Sequence, residues 1–367
     1  MSTNTQRLYS LDALRGFDMF WIIGAEEIFH TMSSATGHPF WKGLSEQFEH
    51  PYWNGFTAYD LIFPLFIFVT GISATYSLGS ALENGARKSV LLSKILKRGF
   101  ILILLGIIYN NGLELKPISD IRFMSVLGRI GISYMCSSII FLYIRSKYHL
   151  FIFFGLLIGY WLLLKFTAAP GFLPGDLTEE GNFASYVDRI VLPGKLSRGI
   201  HDTVGLFNNI TAISSGLGGI ITGTYLRKGL AAPEKKAFIM ALSGLACLLI
   251  AQVWNLDFPI NKNLWSSPFV MQTTGFCLLL MALFYWVIDV KGIHGWAFFF
   301  KVIGMNSILI YMSGKFISWS YTNKAIFQWL GDLMGDPYNA VALAITALAI
   351  KWFFLYTLYR EKLFLKI

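Results

Sequence analysis

Apolar runs of about membrane length recur along this chain, separated by short stretches rich in charge, glycine or proline. A helix needs about 20 apolar residues to cross a hydrocarbon layer about 30 Å thick. Ten runs are candidate spans, near residues 11–30, 56–78, 99–115, 125–144, 148–166, 206–226, 237–254, 268–288, 297–317 and 339–358. The pattern predicts an all-α fold: a polytopic membrane bundle of about ten transmembrane helices, read as one domain over residues 1–367. The lipid bilayer is its first partner, and oligomeric state is left open, a homo-oligomer included.

Composition agrees. With 55% hydrophobic and only 14% charged residues, 367 residues are too apolar for a soluble domain. The net charge of +9 is placed by topology, not as a nucleic-acid surface. One set of alternate loops carries Arg7, Arg87, Lys88, Lys94, Lys97, Arg98, Arg145, Lys147, Arg227, Lys228, Lys235, Lys236, Lys291, Arg360, Lys362 and Lys366. The other set carries Lys42, Lys116, Arg122, Arg189, Lys195, Arg198, Lys262 and Lys324. The positive-inside rule then puts both termini in the cytoplasm and the loop containing His50 outside. No signal peptide precedes the first span, which is expected to be retained. Short loops and the lack of eukaryotic targeting features point to a bacterial inner (cytoplasmic) membrane. Cys136, Cys247 and Cys277 fall in spans without metal-ligand spacing and read as packing residues; His30, His38 and His50 lack the i, i+4 spacing of a helical metal pair, so no metal is expected.

Polar residues inside the spans carry the chemistry. In the first, Asp12, Arg15, Asp18 and Glu26 share an arc of about 120°, so one face must meet protein or water. An ion-pair network around Arg15 is the plain reading, while Glu26 and Glu27 lie near the outer end without a basic neighbour in sequence. The second span holds Pro64 and Gly71, and the break expected at the proline either accompanies a site or is a simple packing kink. The basic run after it, ending at Arg98, sets orientation and is a candidate for cofactor or lipid phosphates. Arg129 in the fourth span is expected to pair with Asp60 or a first-span glutamate, or to touch substrate. Gly219 and Gly223 in the sixth give a small-xxx-small spacing for close packing. Glycine, proline and acidic residues fill the long outer loop near 168–205, where a lid is one reading.

Residues 48–73, FEHPYWNGFTAYDLIFPLFIFVTGIS, join an ionisable aromatic loop to an apolar span. A carboxylate at the centre of a membrane helix costs roughly 3 kcal/mol, which makes Asp60 a functional candidate. An imidazole exchanges protons near neutral pH, so His50 is the candidate general base. Trp53 and Asn54 follow it. Asn261, Lys262, Asn263 and Trp265 form a second outer group suited either to stacking and hydrogen bonding with a sugar or to anchoring at the membrane surface. Asn306 and Ser307 lie at membrane depth in the ninth span, as helix-to-helix hydrogen bonds or as the lining of a passage.

Five blocks in order, LDALRG, FEHPYWNGFTAYDLIFPLFIFVTGIS, VLGRIGISY, FPINKNLWSSPFV and GMNSILIYM, resemble the heparan-α-glucosaminide N-acetyltransferase family of the transmembrane acyltransferase superfamily. The resemblance implies transfer of an acetyl group from cytosolic acetyl-CoA, as co-substrate, to a carbohydrate on the far side. It makes His50 the catalytic histidine. Glu26 stands where the family has an asparagine, and with Asp60 completes the expected catalytic set. Expected substrate contacts are Trp53, Asn54, Glu27, Arg129, Asn261, Lys262, Asn263, Trp265, Asn306 and Ser307; Arg15 and Arg98 are the candidates for the CoA end. Two other classes fit the buried carboxylates, a proton-coupled sugar transporter and a non-catalytic envelope assembly partner.

Overall fold

The computed structural model describes residues 8–365, so Arg7 and Lys366 of the charge pattern lie outside the described residues. The described elements are helical. They are α1 (Tyr9–Phe20), α2 (Glu26–Thr36), α3 (Pro39–Glu46), α4 (Ile62–Glu83), α5 (Lys88–Asn111), α6 (Val126–Tyr143), α7 (His149–Phe166) and α8 (Phe183–Val191). After these come α9 (Asn209–Lys228), α10 (Pro233–Asn255), α11 (Ser267–Phe284), α12 (Ala297–Met305), α13 (Ser307–Phe316), α14 (Trp319–Met334) and α15 (Asn339–Arg360). All ten expected segments are helical.

Six helical stretches, Ala58–Glu83, Val126–Tyr143, Ser146–Phe166, Pro233–Asn255, Ser267–Val290 and Asn339–Arg360, are each long and apolar enough to cross a membrane. α12 and α13, bent by 65° about Asn306, make a seventh if they form one span. The remaining three expected spans fall short for visible reasons. The first is divided into α1 and α2 by a turn of π-helix in which Gly24 has φ 121°, a conformation open to glycine. The break frees the Ile23 carbonyl, and Lys351 of α15 donates to it at 2.6 Å. α5 begins within the basic run expected to be a loop, because Leu91 and Ile95 turn one face of Lys88–Arg98 into the core. α9 is rich in Asn, Ser, Thr and Gly, yet almost wholly enclosed by α4, α6, α7 and α11.

Small residues set the closest approaches. A methyl added at Gly219 would stand 2.0 Å from the Phe68 carbonyl oxygen, so α4 and α9 pack backbone to backbone. α1 meets α12 in the same manner, with Gly16 against Phe300 and Gly304 against Asp12. The expected break in the second span is absent: Pro64 sits in the first turn of α4, straight after the 3₁₀ turn Ala58–Leu61, and the helix runs on to Glu83. α14, an amphipathic helix packed on α15, was not expected from hydropathy.

Candidate active site

Asp60 is placed by the start of α4. The 3₁₀ turn Ala58–Leu61 is closed by a capping box in which the Thr57 amide donates to Asp60 Oδ2 at 3.0 Å. That leaves Oδ1 to face His50 Nδ1 at 2.7 Å and Lys262 Nζ at 3.2 Å. Lys262 Nζ also stands 2.9 Å from His50 Nε2. Imidazole, carboxylate and ammonium form one cluster. Burial pulls the Lys262 ammonium below the usual lysine range, and the neighbouring Asp60 carboxylate opposes the shift.

The loop carrying His50 is tied down on both sides. Thr57 Oγ1 donates to the Glu49 carbonyl at 2.7 Å, the Tyr59 amide to the Gln47 carbonyl at 3.0 Å, and the Gly55 amide to the Ile260 carbonyl at 2.9 Å. Asn261 Nδ2 donates to Asn54 Oδ1 at 3.0 Å, and Asn261 Oδ1 accepts from the Leu264 amide at 2.8 Å. These two asparagines therefore join the His50 loop to the Lys262 loop. Trp265 is fully buried with φ 50°, and its indole donates to Ser215 Oγ at 3.3 Å, so it is not a membrane-surface anchor.

His50, Tyr59, Asp60, Lys262, Asn263 and Trp265 line a cavity of about 380 Å³. Ser197, Arg198, Thr203 and Val204 of the long 168–205 segment complete its wall. That segment is latched to the His50 loop, since Trp53 Nε1 donates to the Leu177 carbonyl at 2.8 Å and its ring meets His201 at 5.0 Å. Inward, the cavity adjoins a narrow apolar pocket of about 40 Å³ that shares Ile22, Phe63, Val126 and Tyr311 and reaches Ser307. At the opposite end of α1, Tyr9, Asp12, Lys301, Met305, Arg360 and Lys362 line a basic pocket of about 490 Å³.

Other expected site residues lie elsewhere. Glu26 reaches His50 only through Tyr59, whose hydroxyl donates to Glu26 Oε1 at 3.4 Å and whose ring lies 5.1 Å from the imidazole. Glu27 faces a separate outer hollow with His30 and Asp336. Arg129 pairs with neither Asp60 nor the first-span glutamates; it donates to Asn208, and its guanidinium lies 4.4 Å from the Trp265 ring centroid. The indole and the amide are its neighbours, and two of its guanidinium nitrogens, Nε and Nη1, are buried without a hydrogen-bond partner. Asn306 binds the C-terminal segment, donating to the Leu363 carbonyl at 2.9 Å and accepting from the Leu365 amide at 3.0 Å, so it is not in the His50 cavity. Arg15 is held by Asp12 at 3.4 Å and Ser73 at 2.6 Å, and Arg98 lies over the Tyr134 ring; neither lines the basic pocket. Tyr59, Tyr311 and Arg198 were missed. Tyr59 adjoins Asp60 in a motif already singled out, whereas Tyr311 and Arg198 reach the cavity only through the fold.

Fold and site together define an integral membrane protein, all-α and polytopic, whose cavity is built around a histidine–aspartate–lysine cluster. Residues 7–187 match the family model for heparan-alpha-glucosaminide N-acetyltransferase, catalytic. Over its whole length the chain is 28% identical to the heparan-alpha-glucosaminide N-acetyltransferase of Homo sapiens and 29% identical to that of Mus musculus. These matches agree with the resemblance drawn from the motifs: the chain is similar to the heparan-α-glucosaminide N-acetyltransferases. It spans 61% of the length of each of these curated relatives.

Proposed function

We propose that this chain is a transmembrane acetyltransferase that moves an acetyl group from acetyl-CoA to a carbohydrate acceptor in the His50 cavity. The observation that carries the reading is the contact of His50 Nδ1 with buried Asp60 at 2.7 Å, inside a cavity large enough for a sugar ring. With the Asp60 carboxylate against Nδ1, Nε2 is the ring nitrogen that acts as base once the acceptor takes the place of Lys262 beside it. The Lys262 ammonium beside the ring supplies a donor for negative charge on the thioester oxygen.

In the transfer, the acceptor amine or hydroxyl forms a new bond to the acetyl carbon while Nε2 takes its proton. The carbon–sulfur bond then breaks, and the proton passes to the departing CoA sulfur. General-base assistance of this kind contributes about 10² to 10⁴ in rate. Trp53 and Tyr59 offer ring faces to the apolar side of a sugar, and Ser197, Arg198 and Asn263 offer donors to its hydroxyls. The names of the relatives specify a glucosaminide, which makes an amino sugar the first acceptor to test.

The basic pocket at Lys301, Arg360 and Lys362 suits the phosphates of CoA. Met305 lines that pocket and Ser307, two residues on, lines the apolar pocket below His50, so the α12–α13 bend lies between the donor pocket and the His50 cavity. With the termini inside, the donor enters from the cytoplasm and the acceptor from outside; short loops fit a bacterial inner membrane. The test is purified full chain in detergent given labelled acetyl-CoA and amino sugars. Acetylated product is expected, and His50→Ala should abolish it without loss of folding or membrane insertion. Unchanged turnover in that variant removes His50 from the mechanism, and sugar uptake into liposomes without acetyl-CoA favours a carrier.

A further inference from the structure

α7 and α10, like α15, are spans with much of their surface left bare, including Phe151, Leu162, Phe238, Leu242 and Leu249. They stand apart, with α9 and α11 flooring the gap. The resulting wedge, about 300 Å³, is lined by Leu150, Phe153, Thr222, Tyr225, Ser243 and Cys247. Leu150 and Ser243 at its mouth are exposed, so it opens on the surface that hydrocarbon covers. Water has too few partners there to fill it, whereas an acyl chain matches both shape and polarity.

The wedge lies in the first turns of α7, the first half of α10 and the last turns of α9. That end carries exposed Arg145, Lys147, Lys228 and Lys235. Arg227 is paired with Glu83 and Lys236 donates to the Leu226 carbonyl, so these two are engaged. Glu234 is the acid interspersed among them. Tyr225, which lines the wedge, has a buried hydroxyl without a hydrogen-bond partner. We infer that the wedge between α7 and α10 holds one anionic phospholipid, an acyl chain against Phe153 and Cys247 and the phosphate among Arg145, Lys147, Lys228 and Lys235. In the orientation proposed above this is a lipid of the cytoplasmic leaflet, and the site is independent of the His50 chemistry.

The test titrates the full chain in detergent with phosphatidylglycerol or phosphatidylcholine and counts bound lipid by native mass spectrometry. One phosphatidylglycerol per chain is expected to bind in preference to phosphatidylcholine. Each surface cation should contribute about fivefold, so Lys147→Gln with Lys235→Gln should weaken phosphatidylglycerol about 25-fold. Ser243→Trp, which fills the mouth, should displace either lipid. Both lysines are exposed, so their loss leaves the fold intact. Equal binding of the two lipids, or no change in the double-glutamine variant, overturns the inference. So does efficient cross-linking between copies through Ser243→Cys, which would make the wedge a seat for protein.

Discussion

His50 Nδ1 and Asp60 Oδ1 stand 2.7 Å apart although the imidazole side chain is 45% exposed and the carboxylate is fully buried. The pair thus spans the boundary between the cavity and the protein interior. Asp60 is held by the Thr57 amide on its other oxygen, so the ring is aimed by a group that is itself anchored to a helix start.

Asp60→Asn keeps the shape of the side chain and removes the charge that faces Nδ1. Turnover should fall by about 10² to 10⁴, with the acceptor KM little changed, in initial-rate measurements on purified protein. A rate within a few-fold of the parent would show that the carboxylate does not orient the base.

Lys301→Gln combined with Arg360→Gln strips charge from the pocket at the far end of α1. The KM for acetyl-CoA should rise about tenfold, a difference of about 1.4 kcal/mol, while the acceptor KM stays put. A rise in acceptor KM instead would assign the pocket to the other substrate.

Asp188, in α8 of the outer segment, accepts from the Leu206 and Phe207 amides, and burial pushes its carboxyl up to about 6. The native state then holds a proton between about pH 4 and 6 that the unfolded chain releases. Stability contributed at low pH is lost as pH rises through that window. Asp188→Asn keeps the accepting oxygen without the charge, so it should flatten this slope and raise neutral-pH stability by up to about 3 kcal/mol. Thermal unfolding in detergent from pH 4 to 7 reads both effects.

Gly219→Ala places a methyl 2.0 Å from the Phe68 carbonyl oxygen, where no flexible side chain can yield. Overpacking of this kind costs about 1–3 kcal/mol or more. The variant should lose its single sharp peak in size-exclusion chromatography or melt well below the parent.

Arg129→Met removes a fully buried cation that has no carboxylate within ion-pair distance among the described residues. Replacing such a charge with an apolar side chain of similar size is neutral or stabilising. The melting temperature should hold or rise, while turnover falls. Asn208 accepts from Arg129 and donates to the Asn263 carbonyl at 2.8 Å, so the cavity wall loses its anchor. A variant that is both fully active and unchanged in stability would leave Arg129 without a role.

Much of this was legible from one dimension. The ten segments picked by hydropathy are all helical, and six helical stretches among them have the length and polarity that a bilayer imposes. Asp60 stood out as a carboxylate inside an apolar span and His50 as the base beside it, whereas Lys262 belonged to a group that suited a sugar contact or a surface anchor equally. Gly219 was recognisable from spacing alone, since four residues bring small side chains onto one helical face.

Which charges meet was decided only by the folded chain. Hydropathy assigns depth but says nothing of rotation about the bundle, so Arg129 looked like the partner of Asp60 when Lys262, from a loop more than two hundred residues away, holds that place. Asn306 and Ser307, adjacent in sequence, serve different regions because the chain bends by 65° between α12 and α13. A backbone bend or an interhelical pairing depends on contacts from distant segments, and local pattern carries no trace of them.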